Sequence, residues 1–362
     1  MRIALVGPTH PFKGGIAHHT TELAHKLKDS GHDVSLISWS SQYPSILYPG
    51  VQKVPNDKPE TAVFGNVEYP LSWKDPAGWV KVGKRLRQFD MVILVFVTSI
   101  QAPAYLTMLK SLGKSYKGEV VALCHNVLPH ERRFFDLPLT KAILSRVNRV
   151  LVHTPAQAKL AKTLTKAEIT MLEMPPHLPA KAKGKHSKDV KRHLLFFGMV
   201  RKYKGVDVLL QALAQVPDVT LTIAGEIWGG TEKYDQQMAE LGITDRVTLL
   251  SGYVPSQQIP ELFAAADALV LPYRSGTATQ NATLAFAHGL PVVATTVGSM
   301  AKQVRNDKDG ILCSPDDVAD LAAAIKHLYE PGMIEKLRKN LPDVSGTEEW
   351  KTYIAGLVVE KS

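Results

Sequence analysis

Residues 2–37, RIALVGPTHPFKGGIAHHTTELAHKLKDSGHDVSLI, decide how the fold is read. The apolar run at 2–6 reads as a strand and the Gly/Pro-rich stretch at 7–15 as a loop. A helix is predicted from about 16 to 29, with Ile16, Leu23 and Leu27 apolar and Ser30-Gly31 as its stop signal. Residues 33–37 supply the next strand. Strand, loop, helix and strand in this length make a βαβ unit.

The pattern continues outward from that unit. Apolar runs at 91–97, 120–123 and 150–152 read as buried parallel strands, because helices on both faces of such a sheet demand apolar side chains on both faces. Helical patterns fall between them at 78–89, 104–112 and 139–147. Residues 174–191, MPPHLPAKAKGKHSKDVK, break the alternation with Pro and Lys, and 178–192 is assigned as a linker. Strands are then predicted at 194–197, 219–224, 247–250, 268–271 and 291–295. Helices are predicted at 205–215, 232–241, 257–266 and near 282–288. A last helix, 347–359, follows a loop at 340–346. The expected fold is α/β: two Rossmann-like, doubly wound domains facing a cleft, 1–177 with 344–362 and 193–343.

Composition excludes several classes. The chain has 362 residues, 45% hydrophobic and 21% charged, which is ordinary for a globular protein and excludes disorder as the main state. Two cysteines make neither a disulfide framework nor a thiolate zinc site. The longest apolar runs, 91–97 and 194–200, fall far short of the about 20 residues that span a bilayer. The N-terminal apolar run is only 3–6, so no cleavable signal is read. A cytoplasmic protein is expected, soluble or peripheral on the inner face of the membrane.

Charge is unevenly divided. The chain carries 43 Lys+Arg against 34 Asp+Glu, but residues 1–170 hold 22 basic and 12 acidic side chains, so all of the excess is in the first half. That half is expected to meet an anionic acceptor or an anionic membrane surface. A nucleic-acid partner is excluded by the lack of aromatics interleaved with the charges. Residues 78–89, GWVKVGKRLRQF, put Trp79, Val82, Leu86 and Phe89 on one helical stripe, with Lys81, Lys84, Arg85 and Arg87 on the other faces. The stripe suits a membrane surface or the domain's own sheet, and the two uses are not exclusive because the basic faces stay exposed in either case.

Four segments carry residues suited to chemistry. In GPTHPFKGGIAHHTTEL (7–23), Gly14-Gly15 lets a backbone approach a ligand, and the helix start that follows offers N–H groups to an anion; an ordinary tight βα turn has the same sequence. In FGMVRKYKG (197–205), Arg201 and Lys204 flank the start of a helix, as a pyrophosphate clamp requires. In HNVLPHE (125–131), His125, His130 and Glu131 follow a strand's carboxyl end; their spacing matches no zinc motif. In YRSGTATQNAT (273–283), small polar residues open a helix and can donate to an anion or simply cap it.

In series, these segments resemble the retaining, nucleotide-sugar-dependent glycosyltransferases of family 4, which have the GT-B fold. GPTHPFKGGIAHHTTELAHKL, HNVLPHE, FFGMVRKYKGVDVLLQAL, IAGEIWG, SGYVP, ELFAAADALVLPY and GLPVVATTVGS follow in that family's order and spacing. The terminal helix, with Trp350 and Tyr353, resembles the segment that crosses back onto the first domain. The resemblance implies donor contacts from Gly14, Gly15, Gly198, Arg201, Lys204, Glu226, Tyr253, Thr279, Gln280 and Asn281. It implies catalytic roles for His125, Arg201 and Lys204, and acceptor-side roles for His125, His130 and Glu131. No metal and no cofactor are expected. Where the family commonly has two glutamates, this chain has Gly276 and Leu284, so the sugar and ribose contacts of those glutamates are not carried over. Ala278-Thr-Gln-Asn-Ala is similar instead to a subset whose backbone donors hold the diphosphate. Two other readings are open: a non-catalytic binding protein of this shape, and an epimerase of the same fold using Glu131 and Glu226.

Overall fold

The computed structural model describes residues 1–44, 52–54, 59, 62–129, 132–177, 189–276, 279–298 and 300–359. The chain forms two units: Met1–Leu178 together with Gly346–Ser362, and Pro179–Ser345. Most of the expected linker, 178–188, lies outside the described residues.

The first unit runs β1 (Arg2–Val6), α1 (Gly15–Asp29), β2 (Asp33–Ser41), β3 (Val67–Ser72), α2 (Pro76–Arg85), β4 (Met91–Phe96), α3 (Ala102–Leu112), β5 (Glu119–Cys124), α4 (Asp136–Leu144), β6 (Arg149–Val152), α5 (Pro155–Lys162) and β7 (Glu168–Met171). Its seven strands are all parallel, in the order β3-β2-β1-β4-β5-β6-β7. Every residue of β4, MVILVF, is buried, as a central parallel strand covered on both faces must be.

The second unit runs β8 (His193–Phe197), α6 (Val206–Ala214), β9 (Thr220–Gly225), α7 (Glu232–Glu240), β10 (Val247–Ser251), α8 (Ile259–Ala265), β11 (Ala268–Leu271), α9 (Asn281–Ala287), β12 (Val292–Thr295), α10 (Met300–Gln303), β13 (Gly310–Cys313), α11 (Val318–Leu328) and α12 (Met333–Lys339). Its order, β10-β9-β8-β11-β12-β13, repeats the first unit's pattern. Strand order therefore reverses beside β1 and again beside β8, and ligands of such sheets bind at the carboxyl ends of strands at a reversal.

The last helix, α13 (Thr347–Leu357), belongs to the first unit. It buries Trp350, Tyr353, Ile354 and Leu357 in one cluster with Ile3, Leu23 and Leu27. Arg149 fastens it: the 2% exposed guanidinium pairs with Glu119 at 2.9 Å and donates to the carbonyls of Gly356 and Leu357 at 3.1 and 2.5 Å.

The stripe read at 78–89 turns inward. Trp79, Val82, Leu86 and Phe89 are 9%, 3%, 1% and 8% exposed and belong to the unit's core. The Trp79 indole N–H donates to the Ser72 carbonyl at 2.7 Å. The α-helix starts earlier than predicted, at Pro76, because Asp75 caps it by accepting from the Gly78 N–H at 3.0 Å. The stripe is thus sheet-packing, and the membrane use of these four side chains is withdrawn. No helix among the described residues is long and apolar enough to cross a membrane.

Candidate functional site

In the second unit the site is built on the loop after β8. Gly198 N–H donates to Ala224 O and Val200 N–H to Glu226 O, both at 2.8 Å, so residues 198–200 run on beside 225–227. That extension sets the Arg201 guanidinium 4.4 Å from the centre of the Trp228 ring. A single 3-10 turn, Lys202–Lys204, then leads into α6. Gly205 joins them at φ +67°, where a Cβ would lie 2.0 Å from the Pro272 carbonyl oxygen, so no other residue fits without moving backbone.

Several expected site residues meet here. A Cβ placed on Gly198 would stand 3.4 Å from the Asn281 amide nitrogen and 3.5 Å from Lys204 Nζ. Asn281 is held by donating to Phe197 O at 2.9 Å and to the Tyr273 hydroxyl at 3.3 Å. Lys204 Nζ lies 5.4 Å from the Tyr273 ring centre. Burial, together with the neighbouring Arg201, holds the Lys204 pKa below its ordinary value. No carboxylate among the described residues pairs with Lys204. A half-dehydrated ammonium in that position is set to receive an anion.

The turn is pinned by a residue that the sequence reading quoted but gave no role. Arg274 donates to both Asp207 oxygens at 2.6 and 2.8 Å, to Asp316 at 2.7 Å and to the Lys202 carbonyl at 3.2 Å. Its own N–H donates to Tyr203 O at 2.7 Å. Burial would raise the Asp207 pKa, but the hydrogen bonds and charge of Arg274 bring it below the usual carboxylate range. Arg274 thus ties Asp207 at the start of α6 to Asp316 and to the turn itself. Its position directly after β11 was the only signal in the sequence.

Of the remaining donor-side residues, Glu226 follows β9 on the same extension, and Tyr253 lies on the loop after β10, next to Gly252, whose N–H reaches Gly225 O at 3.2 Å. Thr279 Oγ1 accepts from the Asn281 N–H at 3.2 Å. Gln280 caps α9 through its backbone, and its side-chain oxygen is buried without a hydrogen-bond partner. Helix α9 has only 7 residues, so its dipole adds little, and Thr277 and Ala278 lie outside the described residues. Leu284, at one of the two missing-glutamate positions, is 2% exposed and packs into the core.

In the first unit His125 follows β5 as predicted, but it is not alone. His19 on α1, His153 after β6 and His177 after β7 join it. From His19 the ring centres of His125, His177 and His153 lie 4.8, 5.0 and 5.9 Å away, and His125 is 5.2 Å from His153. Trp350 stacks on His19 and Tyr353 on His153. Burial lowers all four pKa values, those of His19 and His125 far below normal and those of His153 and His177 to about 4. The imidazoles are therefore neutral. His153 Nδ1 donates to Leu172 O at 3.1 Å and His177 Nδ1 to Pro175 O at 3.0 Å. Both His19 nitrogens, His125 Nε2 and His153 Nε2 are buried without a hydrogen-bond partner. Among the described residues no three His, Cys, Asp or Glu side chains are arranged to hold a metal ion.

Gly14 is the backbone cap of α1 at φ +99°, and Gly15 begins the helix, its backbone hydrogen-bonded to His177. His130 and Glu131 lie outside the described residues. The expected site is thus divided: Gly198, Arg201, Lys204 and Asn281 come together in one unit, while His125, Gly14 and Gly15 belong to the other.

Two parallel Rossmann-like sheets of the same strand order define a GT-B fold, with a glycine-lined Arg/Lys turn at the reversal of the second. The description "Glycosyltransferase Family 4" matches residues 13–171, and "Glycosyl transferases group 1" matches 191–331. The two matches together span most of the chain and relate it to the GT-B-fold glycosyltransferases of these families. The D-inositol 3-phosphate glycosyltransferase of Pseudarthrobacter chlorophenolicus is 36% identical over 43% of this chain and 39% of its own length. The match therefore spans less than half of that relative. The protein of that name from Arthrobacter sp. FB24 is 27% identical over 88% of this chain and 82% of its own. Anabaena Alr3699/HepE in complex with UDP shares the fold, with a TM-score of 0.74 at 17% identity over 99% of both chains.

Proposed function

We propose that the chain transfers a sugar from a nucleoside-diphosphate sugar to an acceptor with retention at the anomeric carbon. The observation that carries this is Lys204, a half-buried cation beside Gly198, Asn281 and Arg201 that pairs with no carboxylate among the described residues. The departing diphosphate gains negative charge as the glycosidic bond breaks. Arg201 and Lys204, fixed by the turn before the reaction begins, stabilise that charge without reorganising. That the Anabaena structure holds UDP and Arabidopsis starch synthase IV holds ADP, both on this fold, supports a nucleoside diphosphate as part of the donor.

His125, neutral and nearly buried, contacts the sugar or shapes the acceptor side and is no strong base. The leaving phosphate itself helps to take the acceptor proton. The acceptor is anionic or membrane-bound, a reading supported by the basic first half and by relatives named for a phosphorylated inositol. No divalent metal takes part.

A thermal-shift panel of nucleoside diphosphates and nucleotide sugars tests the donor. A ligand at 100 times its dissociation constant stabilises by about 2.7 kcal/mol. Turnover of the best donor in EDTA, with the product anomer read by NMR, tests the rest. Reversible loss of activity in EDTA, or an inverted anomer, overturns that part of the mechanism. Binding without hydrolysis or transfer returns the protein to the non-catalytic reading.

A further inference from the structure

Residues 132–141, RRFFDLPLTK, carry the chain from the loop after β5 into α4. Their side chains sort by chemistry. Asp136, the one carboxylate in 132–148, turns inward, where it is buried and accepts from the Arg133 N–H at 2.5 Å and from the Ser99 hydroxyl. Phe135 is half-buried, with Arg133 over its ring at 5.9 Å. Phe134 touches only the edge of Phe135, at 5.3 Å between centres, and is 94% exposed. Leu137 is 51% exposed. Arg132, Arg133, Pro138, Lys141 and Arg146 are exposed as well. The surface of this stretch therefore shows cations, one free phenyl ring and one leucine, and its only acid is hidden.

We propose that this tip docks the first unit on an anionic lipid bilayer, Phe134 and Leu137 entering the headgroup region while Arg132, Arg133 and Lys141 pair with lipid phosphates. Charge complementarity commits the surface to that occupant. It belongs to the half of the chain that holds the whole basic excess, and residues 132–148 carry four exposed cations against one carboxylate, Asp136, which is buried. Isolated apolar side chains among cations suit a soft interface, where an aromatic ring settles at headgroup depth. A protein partner would call for a contiguous apolar patch. The tip takes over the part once read for Trp79, whose ring is in the core. It lies on the same β5–α4 connection as His125, so docking brings that strand end toward the bilayer. The docking stands by itself; that the acceptor is drawn from the bilayer rests on the transferase reading.

The test is co-sedimentation with phosphatidylcholine vesicles made with and without phosphatidylglycerol, at low and high salt. Wild type is expected to bind only the anionic vesicles and to leave them at high salt. Phe134→Ser is expected to bind about tenfold more weakly, since burying an aromatic side chain is worth roughly that factor or more, and Arg132→Gln with Arg133→Gln is expected to bind more weakly still. Phe134→Trp adds an indole that brominated lipid quenches. All three positions are surface residues, and a donor-induced thermal shift equal to wild type confirms intact variants. Failure of wild type to bind anionic vesicles, equal binding by Phe134→Ser, or an unquenched Phe134→Trp overturns the proposal. A lost thermal shift with vesicle binding intact would instead count against the donor site.

Discussion

At the carboxyl side of its sheet the first unit gathers four imidazoles, and burial keeps them neutral; at the corresponding place the second unit sets two cations. The two sheets share strand order and direction, so topology does not choose between these outcomes. Side chains arriving from distant elements do. Around His19 the aromatic face of α13 closes off water, and a charged imidazole would be costly there. Lys204 is also drawn from water, beside the Tyr273 ring and Arg201, while Arg274 binds Asp207 and Asp316. One place gathers groups that burial keeps uncharged, and the other sets two cations side by side.

The largest test of this contrast is Arg149→Ala. Removing one partner of a buried pair costs about 3–5 kcal/mol, and α13 would lose its fastening to β6. Denaturation followed by tryptophan fluorescence reads the first unit, because Trp39, Trp73, Trp79 and Trp350 are there and only Trp228 is in the second. Arg192→Ala, which breaks an exposed pair with Asp218 in the second unit, is expected to change stability by about 1 kcal/mol or less. Equal effects would break the comparison.

Acid is the next test. His153 and His177 have folded pKa values near 4 against about 6.5 unfolded. Between those values the unfolded chain binds protons that the folded chain does not. Stability of the first unit therefore falls as pH drops below 6.5, by up to about 1.4 kcal/mol per pH unit for each histidine. In the second unit His193 is lowered by burial and shares that sign. His327 is raised by Asp307 and Glu330, so its exposed contribution is present in acid and lost as pH rises through its folded value. Hydrogen exchange at pH 7 and pH 5 should show N-terminal peptides losing more protection than C-terminal ones; the reverse ranking would refute the neutral cluster.

Arg201→Ala and Lys204→Ala come next. A hydrogen bond to a charged group is worth about 1.5–3 kcal/mol, so each should weaken nucleoside-diphosphate binding about tenfold or more while melting near wild type. Wild-type affinity in both would remove the clamp. The smallest effect is expected from Lys81→Gln with Lys84→Gln on α2, within about 0.5 kcal/mol of stability, with vesicle binding less affected than by Phe134→Ser. A larger loss of vesicle binding would restore α2 as the contact surface.

How much of this was legible depends on where the signal was stored. The strands β1, β4, β8 and β11 announce themselves by runs of apolar residues, and α1 and α6 by flanking turns. Strand β3, VEYPLS, shows no apolar run, because Pro70 and Glu68 interrupt it; an edge strand tolerates both. Helix α5, PAQAKLAK, is too short and polar to show a period, and only its Thr154 cap and Pro155 mark it. Helix α4 begins three residues before the predicted start, with Asp136 drawn inward by Ser99.

The sequence by itself determined the alternation of strands and helices, the parallel sheets and the Arg201–Lys204–Gly205 turn, since each rests on residues within a few positions of one another. The tertiary structure alone decided that the Trp79 stripe faces the core, that Phe134 faces water, that Arg274 binds Asp207 and Asp316, and that His19, His125, His153 and His177 meet under Trp350 and Tyr353. Those outcomes depend on desolvation, and how dry a side chain becomes is set by neighbours that can stand 331 positions apart in the chain, as His19 and Trp350 do.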